Sequence, residues 1–469
     1  MSRIESVELT NEPQPGWDLL VEAGRREAPW PFSEADEARV HEAWQRLERL
    51  KAQPGVTVYG LHTGFGNDVT ALAASDAVGH QLELLDYLCV GTGPRLPAAV
   101  VRRALRLQAY KASRGLSGTH PETVKRLLAL ADADEVPAVP AWGSLGASGD
   151  LVPMAHAVAP VFERAEGRRE VPGPRDVLSL VNTNAMMASF GVELAERVGD
   201  LLSRSHEVTA AAALGLGFDD EPFRPDGLEV PGQDWHVVEA GRAIVLAMKE
   251  RALDSGARPV PATHRPLQAR YSVRCAPQVL GGSRWALAAA RERLLTEALR
   301  VADNPLVLEG AAPAIWHGGH FYALGVAHAA DLMADVVFRL VELVDRQVLL
   351  LMDPATNQGL PRNLEADGRS HVKGLHQLLS SLGQRLRGLA MPSRVMSFSC
   401  EGNNQDVVPC GMNALTMVQQ ACDVAAEGLA VAELVTERAL VLRAGREVPE
   451  HLTPGAWRRR VALLESPRG

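Results

Sequence analysis

Cysteine is scarce and unpatterned in this chain. Cys89, Cys275, Cys400, Cys410 and Cys422 are odd in number, and no two share a Cys-x-x-Cys spacing. That argues against a disulfide framework or a zinc ribbon and fits a reducing compartment. Long unbroken apolar runs are missing too. The most apolar stretch, residues 326–352, is interrupted by Asp331, Asp335, Arg339, Glu342, Asp345 and Arg346. It reads as a buried helix and not as a membrane span. Positive charge is in the minority, with 48 Lys and Arg against 57 Asp and Glu and a net charge of −9. Basic runs such as Arg102-Arg103 and Arg458-Arg459-Arg460 are short, and none alternates with aromatics to form a stacking platform. Nucleic acid is therefore not an expected partner. The opening residues, Met1-Ser-Arg-Ile-Glu-Ser6, carry no apolar core of a secretory signal, and a cytoplasmic location is expected.

What is present is material for a large core: 469 residues, 46% of them apolar. Apolar residues recur mostly at helical spacing. Ser33-Glu-Ala-Asp36 predicts a capping box that starts a helix with Val40, Trp44 and Leu47 on one face. Further helices are expected near Ala98–Ser113, Thr123–Ala131, Ala185–Arg204, Gly281–Val301, Gly325–Met352, His371–Leu389 and Met412–Arg443. Several exceed the usual soluble length of about 11–12 residues, so a long-helix bundle is the expected fold class, mainly α. Gly215–Asp234 and Asp353–Arg369 read as loops. No repeat and no clean domain boundary is visible. The expected division is a loop-rich part, residues 1–190, followed by a long-helix bundle, residues 191–469.

The most informative segment is Gly143-Ser-Leu-Gly-Ala-Ser-Gly-Asp150. Ala147 offers a carbonyl with almost no side chain before it. Gly149 offers an unhindered nitrogen and a chain that tolerates a sharp fold. Ser148, between them, carries a β-hydroxyl that can leave as water. Attack of the Gly149 nitrogen on the Ala147 carbonyl, with departure of two waters, gives an imidazolone with an exocyclic methylene. That is an electrophile, which no ordinary side chain supplies. Taken alone, the segment reads rather as a Gly/Ser loop.

Its company decides between the two. Val58-Tyr-Gly-Leu-His-Thr-Gly-Phe-Gly66 lies upstream. Gln268-Ala-Arg-Tyr-Ser-Val-Arg-Cys-Ala-Pro-Gln278, Asp303-Asn-Pro305 and Glu401-Gly-Asn-Asn-Gln-Asp406 follow in order. Together these resemble the histidine/phenylalanine/tyrosine ammonia-lyase family over roughly residues 55–415. The resemblance implies the fumarase/aspartase-like helical fold, the cofactor 4-methylidene-imidazol-5-one (MIO) made from Ala147-Ser148-Gly149, and a homotetramer whose sites combine several chains. It implies a small aromatic amino acid as partner; composition and spacing leave no nucleic acid, no membrane and no metal expected.

Residue by residue, the resemblance makes Tyr59 the base that takes the substrate's β-proton, on a glycine-hinged loop. A phenol serves as a base only if its pKa falls from about 10, so cations or oriented dipoles are expected beside it. Tyr271 supports the electrophile and the leaving amine, and three-residue spacing puts it on one helical face with Arg274. Arg274 matches the substrate carboxylate bidentately. Gln268 and Asn182 match polar groups around the ring and carboxylate. Glu401 and Gln405, four apart, face one way if helical, with Glu401 near the ammonium. Tyr87-Leu88, ahead of Gly91-Thr-Gly93, occupies the place that selects the substrate: Leu88 suits an aryl wall, and the Tyr87 hydroxyl is compatible with either presence or absence of a para-hydroxyl.

Four departures stand out: His62 where Thr or Asn is usual, Thr183 and Asn184 where Gly-Thr is usual, and His320 where Asn is usual. His317, His320 and His328 invite a metal reading, but their spacing matches no strong pattern. The activity expected is elimination of ammonia from an aromatic L-amino acid, phenylalanine ahead of tyrosine or a substituted aryl alanine. The alternatives are a 2,3-aminomutase on the same scaffold, a histidine ammonia-lyase (against which Gln405 argues, since those enzymes carry glutamate there) and an inactive helical scaffold.

Overall fold

A computed structural model describes residues 16–465 apart from 29, 71–75, 310–313 and 369–370. The opening hexapeptide, Arg369 and the side chain of Arg460 lie outside the described residues. The chain is mainly helical. In order come α1 (Trp17–Glu22), α2 (Glu34–Lys51), α3 (Ala77–Leu88), β1 (Thr92–Arg95), α4 (Ala98–Ser113), α5 (Pro121–Asp132), β2 (Pro140–Trp142), α6 (Leu151–Phe162) and α7 (Asp176–Val181). Then come α8 (Ala185–Gly215), α9 (Pro225–Leu228), α10 (Trp235–Ser255), α11 (Tyr271–Arg274) and α12 (Ala276–Leu299). The chain ends with β3 (Leu306–Leu308), β4 (Ala314–Trp316), α13 (Leu324–Met352), α14 (Lys373–Leu389), α15 (Gly411–Arg443) and α16 (Pro454–Glu465).

The chain divides into two compact units, each assembled from separate stretches of sequence. The first is Met1–Glu193, Arg291–Ala327 and Ser393–Asn413; the second is Leu194–Ala290, His328–Pro392 and Ala414–Gly469. Four of the five boundaries fall inside α8, α12, α13 and α15, and the fifth, Pro392–Ser393, follows α14.

In the first unit, α2 starts where the sequence predicts. The Asp36 amide donates to Ser33 Oγ (3.2 Å) and the Ser33 amide donates to Asp36 Oδ2 (2.8 Å), closing the capping box. Burial alone would raise the Asp36 carboxyl, but the Ser33 amide and hydroxyl and Arg39 outweigh it and hold it at about 2. The buried face is Val40, Ala43, Leu47 and Leu50, each large aliphatic contributing roughly 1.5–3 kcal/mol on burial. Helix α4 is buried on every side from Val100 to Ser113. Two of its cations reach main chain: Arg103 donates to the carbonyls of Leu20 and Ser189, and Lys111 to those of Glu297 and Arg300. A short antiparallel pair, Thr92 opposite Trp142 and Arg95 opposite Pro140, ties the segment after α3 to the strand entering Gly143. Gly93 (φ +88°) lies so close to the Trp142 ring that a Cβ there would sit 2.4 Å from it. Main-chain proximity therefore brings Leu88 and the Ala147–Gly149 segment into one neighbourhood.

The second unit is a bundle of regular helices. On α13, Met333, Val336, Val337, Leu340, Val341, Val344, Val348 and Leu351 are fully buried at helical spacing. Gly281 lets α12 approach α10 closely, since a Cβ would meet Val237 Cα at 2.6 Å. Buried Arg438 donates to the carbonyls of Leu364 and Leu452, tying loop ends to α15. The expected loop Gly215–Asp234 contains α9 and a 3-10 turn at Glu221–Phe223. Among the described residues no helix is long and apolar enough to cross a membrane.

Candidate active site

A cavity of about 250 Å³ in the first unit is lined by Tyr59, Phe65, Leu84, Tyr87, Leu88, Ser148, Leu151, Leu178, Asn182, Asn304, Phe321, Glu401 and Asn404, among others. Of the Ala147–Gly149 segment, Ser148 lines this cavity. Ala147 and Gly149 are buried while Ser148 is partly exposed toward the cavity. The turn is held by Ser144 Oγ, which donates to the Gly149 carbonyl and accepts from the Gly146 amide, both at 3.1 Å. Gly149 has φ +75°, and a Cβ there would lie 2.1 Å from the Thr183 carbonyl oxygen. Only glycine fits. The next amide, Asp150 N–H, donates to that same oxygen.

Thr183 stands where the resemblance expects glycine, but it has no positive φ, so its side chain costs the backbone nothing. Asn184 turns away, donating to Glu297 Oε2 at 2.6 Å. The Asn182 and Asp150 side chains each hold a buried oxygen, Oδ1 in both, with no partner in the chain. Asp150 is fully enclosed, and burial lifts its carboxyl to about 7 against the pull of the Met187 and Met186 amides and Lys111. A glycine-only contact, a serine facing the cavity and two orphaned acceptors beside them fit an MIO ring made from residues 147–149.

Ser148 Oγ accepts from Gln405 Nε2 at 3.0 Å, and the same nitrogen donates to Glu401 Oε2 at 2.8 Å. Cys400 Sγ donates to Gln405 Oε1 at 3.2 Å. Glu401 and Gln405 thus meet as expected, but not on an α-helix. Residues 401–403 form a 3-10 turn with φ of 50°, 61° and 66°, closed by the Cys400–Gln405 bridge. The one glycine and two asparagines of this motif favour such left-handed turning over helix.

Tyr59 lies on a turn whose phenol oxygen accepts from the Gly66 amide at 2.7 Å. The phenol is not lowered as a base would require. Burial raises it, Glu401 raises it further, and only the Gly66 amide and Arg175 oppose them. Tyr87 is half-exposed; burial of its hydroxyl and the nearby Tyr59 and Glu401 push it well up. Leu88 is buried in the cavity wall. His320 is exposed, its carbonyl held by Arg300, and the cavity is lined by the next residue, Phe321, instead.

Gln268, Tyr271 and Arg274 line a different cavity, of about 590 Å³, within the second unit, with Phe218, Leu350 and Gln358. Tyr271 and Arg274 share α11, and the Arg274 guanidinium lies 4.7 Å from the Tyr271 ring centroid. Tyr271 is 71% exposed. Among the described residues no cluster of three or more His, Cys, Asp or Glu side chains is arranged to hold a metal ion.

The sequence reading missed Phe65, Leu84, Leu178, Asn304 and Phe321. Two of them, Phe65 and Asn304, lie inside the quoted motifs Val58–Gly66 and Asp303-Asn-Pro305. Asp303 forms a buried bidentate pair with Arg175 (2.8 and 3.0 Å), and Asn304 Oδ1 accepts from the Gly318 amide at 2.9 Å.

The family profile described as aromatic amino acid lyase matches residues 17–460. A histidine ammonia-lyase of Paracidovorax citrulli is 35% identical over 386 residues, 77% of this chain and 73% of that protein. A tyrosine ammonia-lyase of Cereibacter sphaeroides is 33% identical over 422 residues, 83% and 80% of the two chains. Among solved structures, the tyrosine aminomutase from Streptomyces globisporus superposes with a TM-score of 0.81 at 23% identity, covering 92% of this chain and 88% of that one. That likeness establishes the fold alone. The profile match and the two relatives place the chain in the aromatic amino acid lyase family, whose members are carbon–nitrogen lyases.

Proposed function

We propose that the chain eliminates ammonia from an aromatic L-amino acid, with phenylalanine as the preferred substrate, to give a trans-arylacrylate. One observation carries the reading. The hydroxyl of Ser148 opens into a cavity walled by Phe65, Leu84, Leu88, Leu178 and Phe321, while the flanking Ala147 and Gly149 are buried. MIO formed there supplies an electrophilic carbon toward the substrate amine. Leu84, Leu88 and Phe65 take the aryl ring. Tyr59 accepts the β-proton, and the Gly66 amide steadies the phenolate. Glu401 faces the leaving ammonium. Because burial and Glu401 hold the Tyr59 phenol above its ordinary value, its basic form grows as pH rises, and turnover should rise with it into the alkaline range.

Arg274, Tyr271 and Gln268 are the groups suited to the substrate carboxylate and amine. We infer that they reach the site from other copies in a homotetramer.

Two observations favour a second reading. Relatives named for histidine and for tyrosine match at similar identity, and the Glu401 carboxylate lines the same cavity. Histidine as substrate is therefore the competing assignment, and an aminomutase outcome shares all the same groups. Incubation with phenylalanine, tyrosine and histidine, followed by separation of acrylates from β-amino acids, tests all three. Cinnamate from phenylalanine at the highest kcat/KM supports the proposal. Urocanate as the dominant product, or β-phenylalanine in place of cinnamate, overturns it.

A further inference from the structure

The Tyr59 turn is tied down by an unusual set of acceptors. Three consecutive main-chain N–H groups, those of Val58, Tyr59 and Gly60, each donate to a side chain. The acceptors are His62 Nδ1 (3.1 Å), His317 Nε2 (3.3 Å) and Thr63 Oγ1 (3.1 Å). The donors are amides, so both ring nitrogens must carry a lone pair. That fixes His62 as the Nε2–H tautomer and His317 as the Nδ1–H tautomer, both neutral.

Other contacts anchor the turn without titrating in the same sense. Val58 is fully buried among Leu47, Leu50 and Val307. Gln81 donates to the Gly60 carbonyl at 3.3 Å, and the Phe65 ring stacks on His80 at 4.3 Å. His80 lies 3.3 Å from the Thr63 carbonyl and can only donate there, so added charge leaves that contact intact.

We infer that His62 and His317 are positioning residues for Tyr59, holding its turn closed as paired neutral acceptors, and that protonating them opens it. This rests on the assignment of Tyr59 as the base. A protonated imidazole presents N–H to N–H, turning each tie into a repulsion. Arg175, paired with buried Asp303, acts on His317; Glu401 and Arg175 act on the Tyr59 phenol, Asp68 acts on Tyr87 farther along, and Arg46 pairs with Glu309 just beyond β3. Partial burial and Arg175 keep the His317 ring below the ordinary histidine range. The direction follows: a depressed group holds its tie at higher pH and releases it as pH falls through the folded-state value. At His62, a departure from the expected Thr or Asn, an imidazole ring nitrogen is thus the acceptor that caps the turn.

The test uses hydrogen exchange at the Val58 and Tyr59 amides of the full-length protein, corrected for the intrinsic pH effect. Asn Oδ1 takes the place of His Nδ1, and Gln Oε1 that of His Nε2, so H62N/H317Q keeps both acceptors without the charge. In the wild type, protection should fall about tenfold between about pH 8 and about pH 5.5. In H62N/H317Q it should change less than about twofold, and the acid limb of kcat/KM should move to lower pH. Equal protection at both pH values in the wild type, or the same fall in the double variant, overturns the inference. If exchange behaves as expected yet no substrate releases ammonia, the clamp stands and the lyase proposal is what fails.

Discussion

The two units place their reactive residues by opposite means. In the first, the Ser148 cavity is built from turns: Gly149 and Gly146 at positive φ, the left-handed run 401–403, and buried polar atoms held by main chain. In the second, Tyr271 and Arg274 stand on one short helix beside long regular ones, and among the described residues the non-glycine positions at positive φ, Gln358, Asn363, Leu364 and Asp367, are confined to 358–367. Under the proposed function, the contrast is a division of labour. An electrophile made from main chain needs a backbone that is bent and then frozen, which turns supply. A carboxylate clamp needs only a rotamer held at a fixed spacing, which one helical turn supplies.

The largest effect should come from removing the reagent itself. The proposed MIO ring should absorb in the near ultraviolet and leave the intact mass two waters below that of the sequence; Ser148→Ala should remove both signatures and lower kcat by at least about a thousandfold. An unchanged mass and rate would remove the reason for treating the first unit as the chemical one. Next is the clamp. Arg274→Gln should keep the band and raise KM by about 10- to 100-fold through loss of charged hydrogen bonds. Co-expressed Ser148→Ala and Arg274→Gln chains should recover activity that neither has alone, if different copies complete one site. Absence of recovery would confine each site to a single chain. Leu88→His should shift preference away from phenylalanine by about tenfold in relative kcat/KM, and no shift would dissociate Leu88 from the aryl wall. The smallest effect belongs to the frame. Ser33→Ala should cost about 1 kcal/mol in a denaturant titration. The Asp36 contribution, present above pH about 4, should disappear as pH falls through about 2, the depressed folded-state value.

Legibility in the sequence followed the same divide. Helices announced themselves by period and caps: α4 is where Ala98–Ser113 was expected, and α13 where Gly325–Met352 was, one residue longer at its start. The Ser33 box closed as its spelling implied. Residues within a motif were found together, as Glu401 with Gln405 and Tyr271 with Arg274. Illegible were contacts between distant stretches that no local pattern encodes. Phe65 and Phe321 look like any apolar residues until the fold sets them around one space. The state of Tyr59 was equally hidden, because burial and Glu401, 342 positions later in the chain, act on it only once the chain has folded. The interleaving of the units also escaped, since a helix crossing a boundary has the same periodicity on either side.

One contact has reach beyond this chain. The surface against which Gly149 bends is the Thr183 peptide oxygen, not a side chain. A mould cast in main chain keeps its shape while the letters written on it drift, which is how Asn182-Thr183-Asn184 can stand in for another spelling. Anyone wishing to install such a reagent in an unrelated helical scaffold would do better to copy the path of two crossing peptides than to transplant the tripeptide alone.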